Sequence, residues 1–190
     1  MQKLLLHSCC GPCSSAVLER LVDEYDVTVL YYNPNIQPEQ EYLKRKAEQL
    51  RLIEEAYPNV KVLDCDYFGE HFTSKVKGLE KEKEGGARCK MCFSLRLEFC
   101  AKKAKENGFD VFATTLSVSP YKNAKLINEI GLNFSKMYGV DYLISDFKKK
   151  NGYLRSIELA KKYNLYRQNY CGCIYSFYEA EEYRKNKDKK

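Results

Sequence analysis

The chain has no tryptophan, no internal repeat, no low-complexity linker and no long apolar run among its 190 residues. A membrane-spanning helix needs roughly 18 apolar residues in succession, whereas only Leu4 to Leu6 are continuously apolar before His7 and Ser8 intervene. The expectation is a cytoplasmic chain without signal peptide or membrane span. With neither repeat nor linker, one domain over residues 1–190 is the economical reading, with a charged, solvated tail at 184–190. The missing tryptophan bears on Cys10-Gly11-Pro12-Cys13, which matches the C-x-x-C redox motif of thioredoxin-like proteins. Those proteins usually carry tryptophan just before the motif. Here Cys9 holds that place, and the helix-rich remainder suits another fold.

Cysteine, by contrast, is plentiful: nine residues, mostly in close groups. Cytosolic thiols are kept reduced, so grouped cysteines point to metal or redox work rather than to disulfide scaffolding. The formal net charge of +6 is compatible with a polyanionic partner and does not specify one.

The pattern along the chain alternates strand and helix. Leu4–Leu6 reads as a buried strand, Gly11 as a turn, and Pro12 as the first turn of a helix. Strands are expected at 26–32, 60–66, 111–116 and 140–145, and helices at 39–56, 68–82, 89–107, 122–138 and 153–163, with a last helix after Cys173. Such alternation implies right-handed βαβ units. The fold class is therefore α/β: a Rossmann-like three-layer fold with a mostly parallel sheet of about five strands and a C-terminal helical segment. Ligands in such sheets bind beyond the carboxyl ends of the strands. The double-cysteine loop, the Asn33 loop, Asp64–Tyr67 and the Ser117 loop all fall there.

Cys89-x-x-Cys92 sets two sulfurs one helical turn apart, a spacing that suits two corners of one metal centre. With Cys9-Cys10 and Cys171-Gly172-Cys173 the grouped thiols number six, more than one closed zinc site uses. The surplus suits a four-cysteine iron–sulfur cluster beside a second metal or an electron-exchanging thiol pair. Cys65 and Cys100 stand unpaired in apolar contexts and read as core residues. His7 is either a proton donor or a satisfied structural histidine. Asp64 and Asp66 are either iron ligands or acids, or simply rim carboxylates. Aromatics near Arg88 and Arg167 can stack a base while the arginines hold phosphate.

Taken in order, five motifs resemble the cobalamin-independent epoxyqueuosine reductases. They are His7-Ser8-Cys9-Cys10-Gly11-Pro12-Cys13, Tyr32-Asn33-Pro34-Asn35-Ile36, Arg88-Cys89-x-x-Cys92, Thr115-Leu116-Ser117-x-Ser119-Pro120-Tyr121-Lys122, and Tyr166-Arg167-Gln168-x-Tyr170-Cys171-Gly172-Cys173. The resemblance implies two-electron reduction of epoxyqueuosine to queuosine in tRNA, the last step of queuosine formation. It also implies a [4Fe-4S] cluster on Cys9, Cys10, Cys89 and Cys92. Cys171 and Cys173 would then be a redox pair or the ligands of an adjacent mononuclear iron. His7, Asp64 and Asp66 are the candidate acids, and Tyr32, Asn33, Arg88, Ser117, Arg167 and Tyr170 the expected substrate contacts. The implied partners are tRNA carrying epoxyqueuosine at the wobble position and an unidentified electron donor. The residues also leave open a zinc-stabilised tRNA-binding module and a thiol–disulfide oxidoreductase. An ATP-dependent tRNA-thiolating enzyme is disfavoured, because the first-strand loop lacks a Ser-Gly-Gly phosphate cradle.

Overall fold

The computed structural model describes residues 1–187; residues 188–190 of the charged tail lie outside it. Leu4, Leu5 and Leu6 are all fully buried, which only a central strand covered on both faces allows. They belong to β1 (Gln2–His7), and the alternation of its side chains divides the core in two. Leu5 packs with Leu97, Cys100 and Ala104 of one helix and Ile127 and Phe134 of another. Leu4 and Leu6 point the other way, onto Val17, Leu18 and Leu21. Burying each such leucine contributes about 1.5–3 kcal/mol.

The remaining elements follow as α1 (Gly11–Leu21), β2 (Tyr25–Leu30), α2 (Glu39–Ala56), β3 (Lys61–Leu63), α3 (Gly69–Lys75) and α4 (Ala87–Glu106). After them come β4 (Val111–Thr114), a 3-10 turn at Thr115–Val118, α5 (Ala124–Tyr138), β5 (Asp141–Tyr142), α6 (Gly152–Lys162) and α7 (Ile174–Lys187). All strand pairs are parallel, in the order β3-β2-β1-β4-β5. Helices α4 and α5 cover one face and α1 and α2 the other. This is the expected three-layer α/β architecture, five strands included.

Several strands are shorter than their apolar runs. β2 stops at Leu30, because Tyr31 and Tyr32 leave the ladder while staying buried. β3 keeps three residues and leaves Asp64–Tyr67 as loop, and β5 keeps two. Beyond Thr114 the chain tightens into the 3-10 turn, where the Leu116 amide donates to the Thr114 hydroxyl at 3.2 Å. The expected helix at 68–82 ends at Lys75, before Gly78 at φ +86°. Running outward from β1, the chain lays down β2 and β3, then returns to place β4 on the other side of β1. The crevice where the strand order reverses, beyond the ends of β1 and β4, is where ligands bind in such sheets.

Candidate metal centre and substrate cavity

Cys9 and Cys10 lie in the turn leaving β1, and Cys13 in the first turn of α1. Their sulfurs all lie within 4.8 Å of one another, with Cys9 and Cys10 at 3.8 Å. Sulfurs bound to one ion at about 2.3 Å stand no more than about 4.6 Å apart; Cys9 and Cys10 meet that spacing as they stand, and Cys13 is near enough for the three to form a group that could hold a metal. The end of β4 fixes them: the Cys9 amide donates to Thr115 Oγ1 at 3.1 Å, and that hydroxyl donates to Cys9 Sγ at 3.3 Å. Hydrogen bonds from Cys10 and Cys13 hold Cys9 well below the usual thiol range against its burial, with Lys122 and Thr115 assisting. Cys10 is pushed up to about 11: its bond with Cys13 favours ionisation, but the bond with Cys9, burial and the Cys9 charge outweigh it. Cys13 rises well above the range because it donates to Cys10 and Cys9. The contacts thus favour the thiolate form at Cys9 and the thiol form at Cys10 and Cys13. Metal binding requires thiolates and releases the remaining protons.

A second thiol group faces the first. Cys89 and Cys92 lie one turn apart at the start of α4, and Cys171 and Cys173 flank Gly172 just before α7. All four line one small cavity of about 70 Å³. The Gly85 amide donates to Cys89 Sγ at 3.2 Å and the Ser176 amide to Cys173 Sγ at 3.4 Å. Burial pushes Cys92 up to about 12 despite nearby Arg96, with the other three thiols adding to the rise. Burial likewise raises Cys89, against the Gly85 hydrogen bond.

The Cys171 loop is clamped from α2. Arg45, buried within that helix, donates to the Cys171 carbonyl at 3.0 Å and the Tyr170 carbonyl at 3.4 Å. Glu41 holds its Nε at 2.7 Å. Gly172 has φ +143°, and a Cβ there would stand 3.0 Å from Ile36 and 3.2 Å from Arg45. Glycine is required on both counts. The Gln37 amide donates to the Gly172 carbonyl at 2.8 Å and so closes the contact.

Above the triad opens a cavity of about 840 Å³, within the usual range for ligand sites. Cys9, Cys10 and Cys13 form its floor, Arg167 and Tyr170 one wall, and the exposed Tyr121 and Tyr183 its mouth. Cys171, Arg96 and Lys122 line this cavity and the smaller one, so the two adjoin.

The structure brings together most of the expected site residues, but not all. Asn33 lines the large cavity, and its amide donates to the Ser8 carbonyl at 2.8 Å. Arg88 lines the small one, paired with Glu179 at 2.9 Å. Asp64 and Asp66 line neither. β3 is the outer strand, two places from β1, and Asp64 turns outward to bond Lys46 at 2.5 Å. That bond, against slight burial, holds its carboxyl below the usual range. His7 also stays out of both cavities: its ring is fully buried, 2.9 Å from Thr114 Oγ1 and 3.0 Å from the Tyr32 carbonyl. Burial, helped by Arg96, lowers its pKa to about 3, so it stays neutral and ties strands together. Tyr32 stacks on Phe99 at 3.7 Å, and Ser117 accepts from the Phe147 amide at 3.1 Å; both are buried structural residues outside the cavities. Cys65 bonds the Tyr31 carbonyl through its sulfur, and Cys100 is fully buried in the core.

Sequence reasoning left Cys13, Lys122 and Arg96 without roles. For Arg96 a signal exists: Cys89, Cys92 and Arg96 are spaced i, i+3, i+7, one stripe of α4.

Comparison with known proteins supplies the family. The family described as epoxyqueuosine reductase QueH matches residues 4–179. A Staphylococcus aureus protein named epoxyqueuosine reductase QueH is 47% identical over 180 residues, covering 92% of this chain and 75% of its own. One from Streptococcus pyogenes is 45% identical over 177 residues, covering 91% and 69%. A Thermotoga maritima protein of the same name is 35% identical over 189 residues, covering 96% and 94%. No helix among the described residues is long and apolar enough to cross a membrane. From the first strand to the last helix, then, this chain belongs to the epoxyqueuosine reductase QueH family.

Proposed function

We propose that the chain, acting in the cytoplasm as a single metalloenzyme domain, reduces the epoxide of epoxyqueuosine in tRNA to give queuosine. The observation that carries this reading is a triad of thiols at the reversal of strand order, in a cavity large enough for a modified base that adjoins a second cavity lined by four more thiols. An all-sulfur donor set suits iron–sulfur chemistry or zinc and excludes hard cations. The residues therefore fit a [4Fe-4S] cluster. Cys9, Cys10, Cys89 and Cys92 would hold it, and Cys171 and Cys173 would serve as a redox pair or bind an adjacent iron. Cys13 is a further candidate ligand because of its distance from Cys9 and Cys10. When bound, the cluster supplies single electrons received from an external reductant.

The chain's own residues bind and orient the base. Cys171, one of the second thiol group, also lines the large cavity that the substrate would enter. Arg167 would meet a phosphate, and Tyr170, held by its hydroxyl to the Gln37 carbonyl at 2.8 Å, gives a fixed wall for stacking. Asn33 holds the Ser8 carbonyl beside Cys9, and Arg88 ties the start of α4, which carries Cys89 and Cys92, to the loop before it.

The test is a count of iron, sulfide and zinc on anaerobically purified protein, followed by incubation of epoxyqueuosine-tRNA with dithionite. About four irons with matching sulfide, and queuosine on nucleoside mass spectrometry, are expected. Zinc without sulfide and no product would refute the reading in favour of a zinc-stabilised tRNA-binding module.

A further inference from the structure

Removing the epoxide oxygen requires something to receive it. The carboxylates and the histidine that sequence suggested for this purpose stand outside the cavities. Two cations stand inside. Arg96 is 2% exposed, and its partners are all neutral. Nε donates to the Cys92 carbonyl at 3.3 Å and Nη1 to Asn33 Oδ1 at 3.4 Å, while the buried Nη2 has no partner. A buried guanidinium donor left open is rare enough to call for a ligand. Lys122 leaves the loop before α5 and, like Arg96, lines both cavities where Cys171 joins them. Neither cation has a carboxylate partner among the described residues, whereas Arg45, Arg51, Arg88, Arg155 and Arg184 each have a glutamate. Of the acidic residues along the large cavity, Glu179 is engaged with Arg88 and Glu84 is exposed.

We propose that Arg96 Nη2 and Lys122 Nζ form a donor pair that receives the epoxide oxygen as its C–O bonds break. This rests on the reductase reading and deepens it. The epoxide takes two electrons and two protons and leaves as alkene and water. Both C–O bonds break, a C=C bond forms, the electrons come from the external one-electron reductant, and the protons come from cavity water. Negative charge gathers on the oxygen as the first bond opens. Donors already held at that position stabilise it without reorganising.

The test uses reconstituted protein with excess dithionite and compares wild type with Lys122→Met, Lys122→Arg, Arg96→Gln and Arg96→Lys. Iron content, sulfide content and visible spectrum are recorded for each. Single-turnover reduction should fall about 10²–10³-fold in Lys122→Met and Arg96→Gln, with partial recovery in the Arg and Lys variants. A second readout is binding of tRNA to oxidised protein without turnover. Wild type should prefer tRNA with epoxyqueuosine over tRNA with queuosine by about fivefold, as one hydrogen bond gives. Each neutral variant should lose that preference and keep its affinity for the queuosine form. Rates within about threefold of wild type in both neutral variants, far short of losing an oxyanion donor, overturn the pairing. So does loss of iron from Lys122→Met, which would make it a support of the metal instead. An iron-loaded wild type that yields no queuosine takes down the reductase reading itself, and this inference with it.

Discussion

Replacing Arg45 with methionine should cost the molecule heavily although Arg45 touches neither thiol group with its charge. The guanidinium is 2% exposed and joins three acceptors: Glu41 at 2.7 Å, the Cys171 carbonyl at 3.0 Å and the Tyr170 carbonyl at 3.4 Å. Methionine fills most of the volume but leaves Glu41, itself largely covered, without its cation and with only the Tyr166 hydroxyl at 3.1 Å. Breaking a buried pair from one side costs about 3–5 kcal/mol. For a chain of this length 1 kcal/mol moves the melting midpoint by about 2–4 °C, so a drop of roughly 6–20 °C is expected. The double variant Arg45→Met with Glu41→Gln should recover part of it, since the stranded charge is gone. Amide exchange should quicken across residues 170–173, the segment Arg45 clamps. Scanning calorimetry and exchange mass spectrometry on the same samples give both numbers. A fall of less than about 2 °C, under 1 kcal/mol, would refute the view that α2 holds the Cys171 loop.

Two further outcomes follow from groups elsewhere in the fold. Cys100→Ala removes a fully buried sulfur from the core and should cost about 1–2 kcal/mol in urea unfolding. Its metal content should stay unchanged, while Cys9→Ala should lose metal; depletion in the Cys100 variant would show that thiol to be a ligand. Glu48 is held below its usual range mainly by Arg51, against some burial and with help from the Tyr166 amide at 2.7 Å. Its contribution is therefore full above the unfolded value of about 4.3 and fades as pH falls through the lower folded value. Both partners are part-exposed, so the effect stays below about 1 kcal/mol. Glu48→Gln should flatten the acid limb of the stability profile below about pH 4.3; an unchanged limb would exclude the pair as a source of that slope.

What the sequence disclosed depended on the kind of information each feature uses. The bounds of α2 were legible to the residue, since apolar periodicity and Pro58 are local signals. Strand ends were not: Tyr31 and Tyr32 are as β-prone as their neighbours, yet the turn into Asn33 draws them off the ladder, a tertiary decision. The same distinction governs the site. Cysteine spacing marks three cysteine groups because the chemistry is written in residue type, but which sulfurs meet depends on how the loops after β1 and β4 come together. Cys13 joins Cys9 and Cys10 because α1 begins at Gly11 and turns its first thiol back toward the loop. Asp64 was placed on the correct end of the sheet and still misses the cavity, because β3 is the outer strand and Lys46 offers a nearer partner. The cations escaped for the opposite reason. In a chain with 32 lysines and arginines, one more arginine carries no signal by type. What distinguishes Arg96 is burial without a carboxylate, and a helical stripe shared with two thiols. Position supplies its meaning. A search of this fold for functional cations should begin with charges the core keeps but leaves unpaired, since keeping one against its desolvation cost implies a ligand still to come.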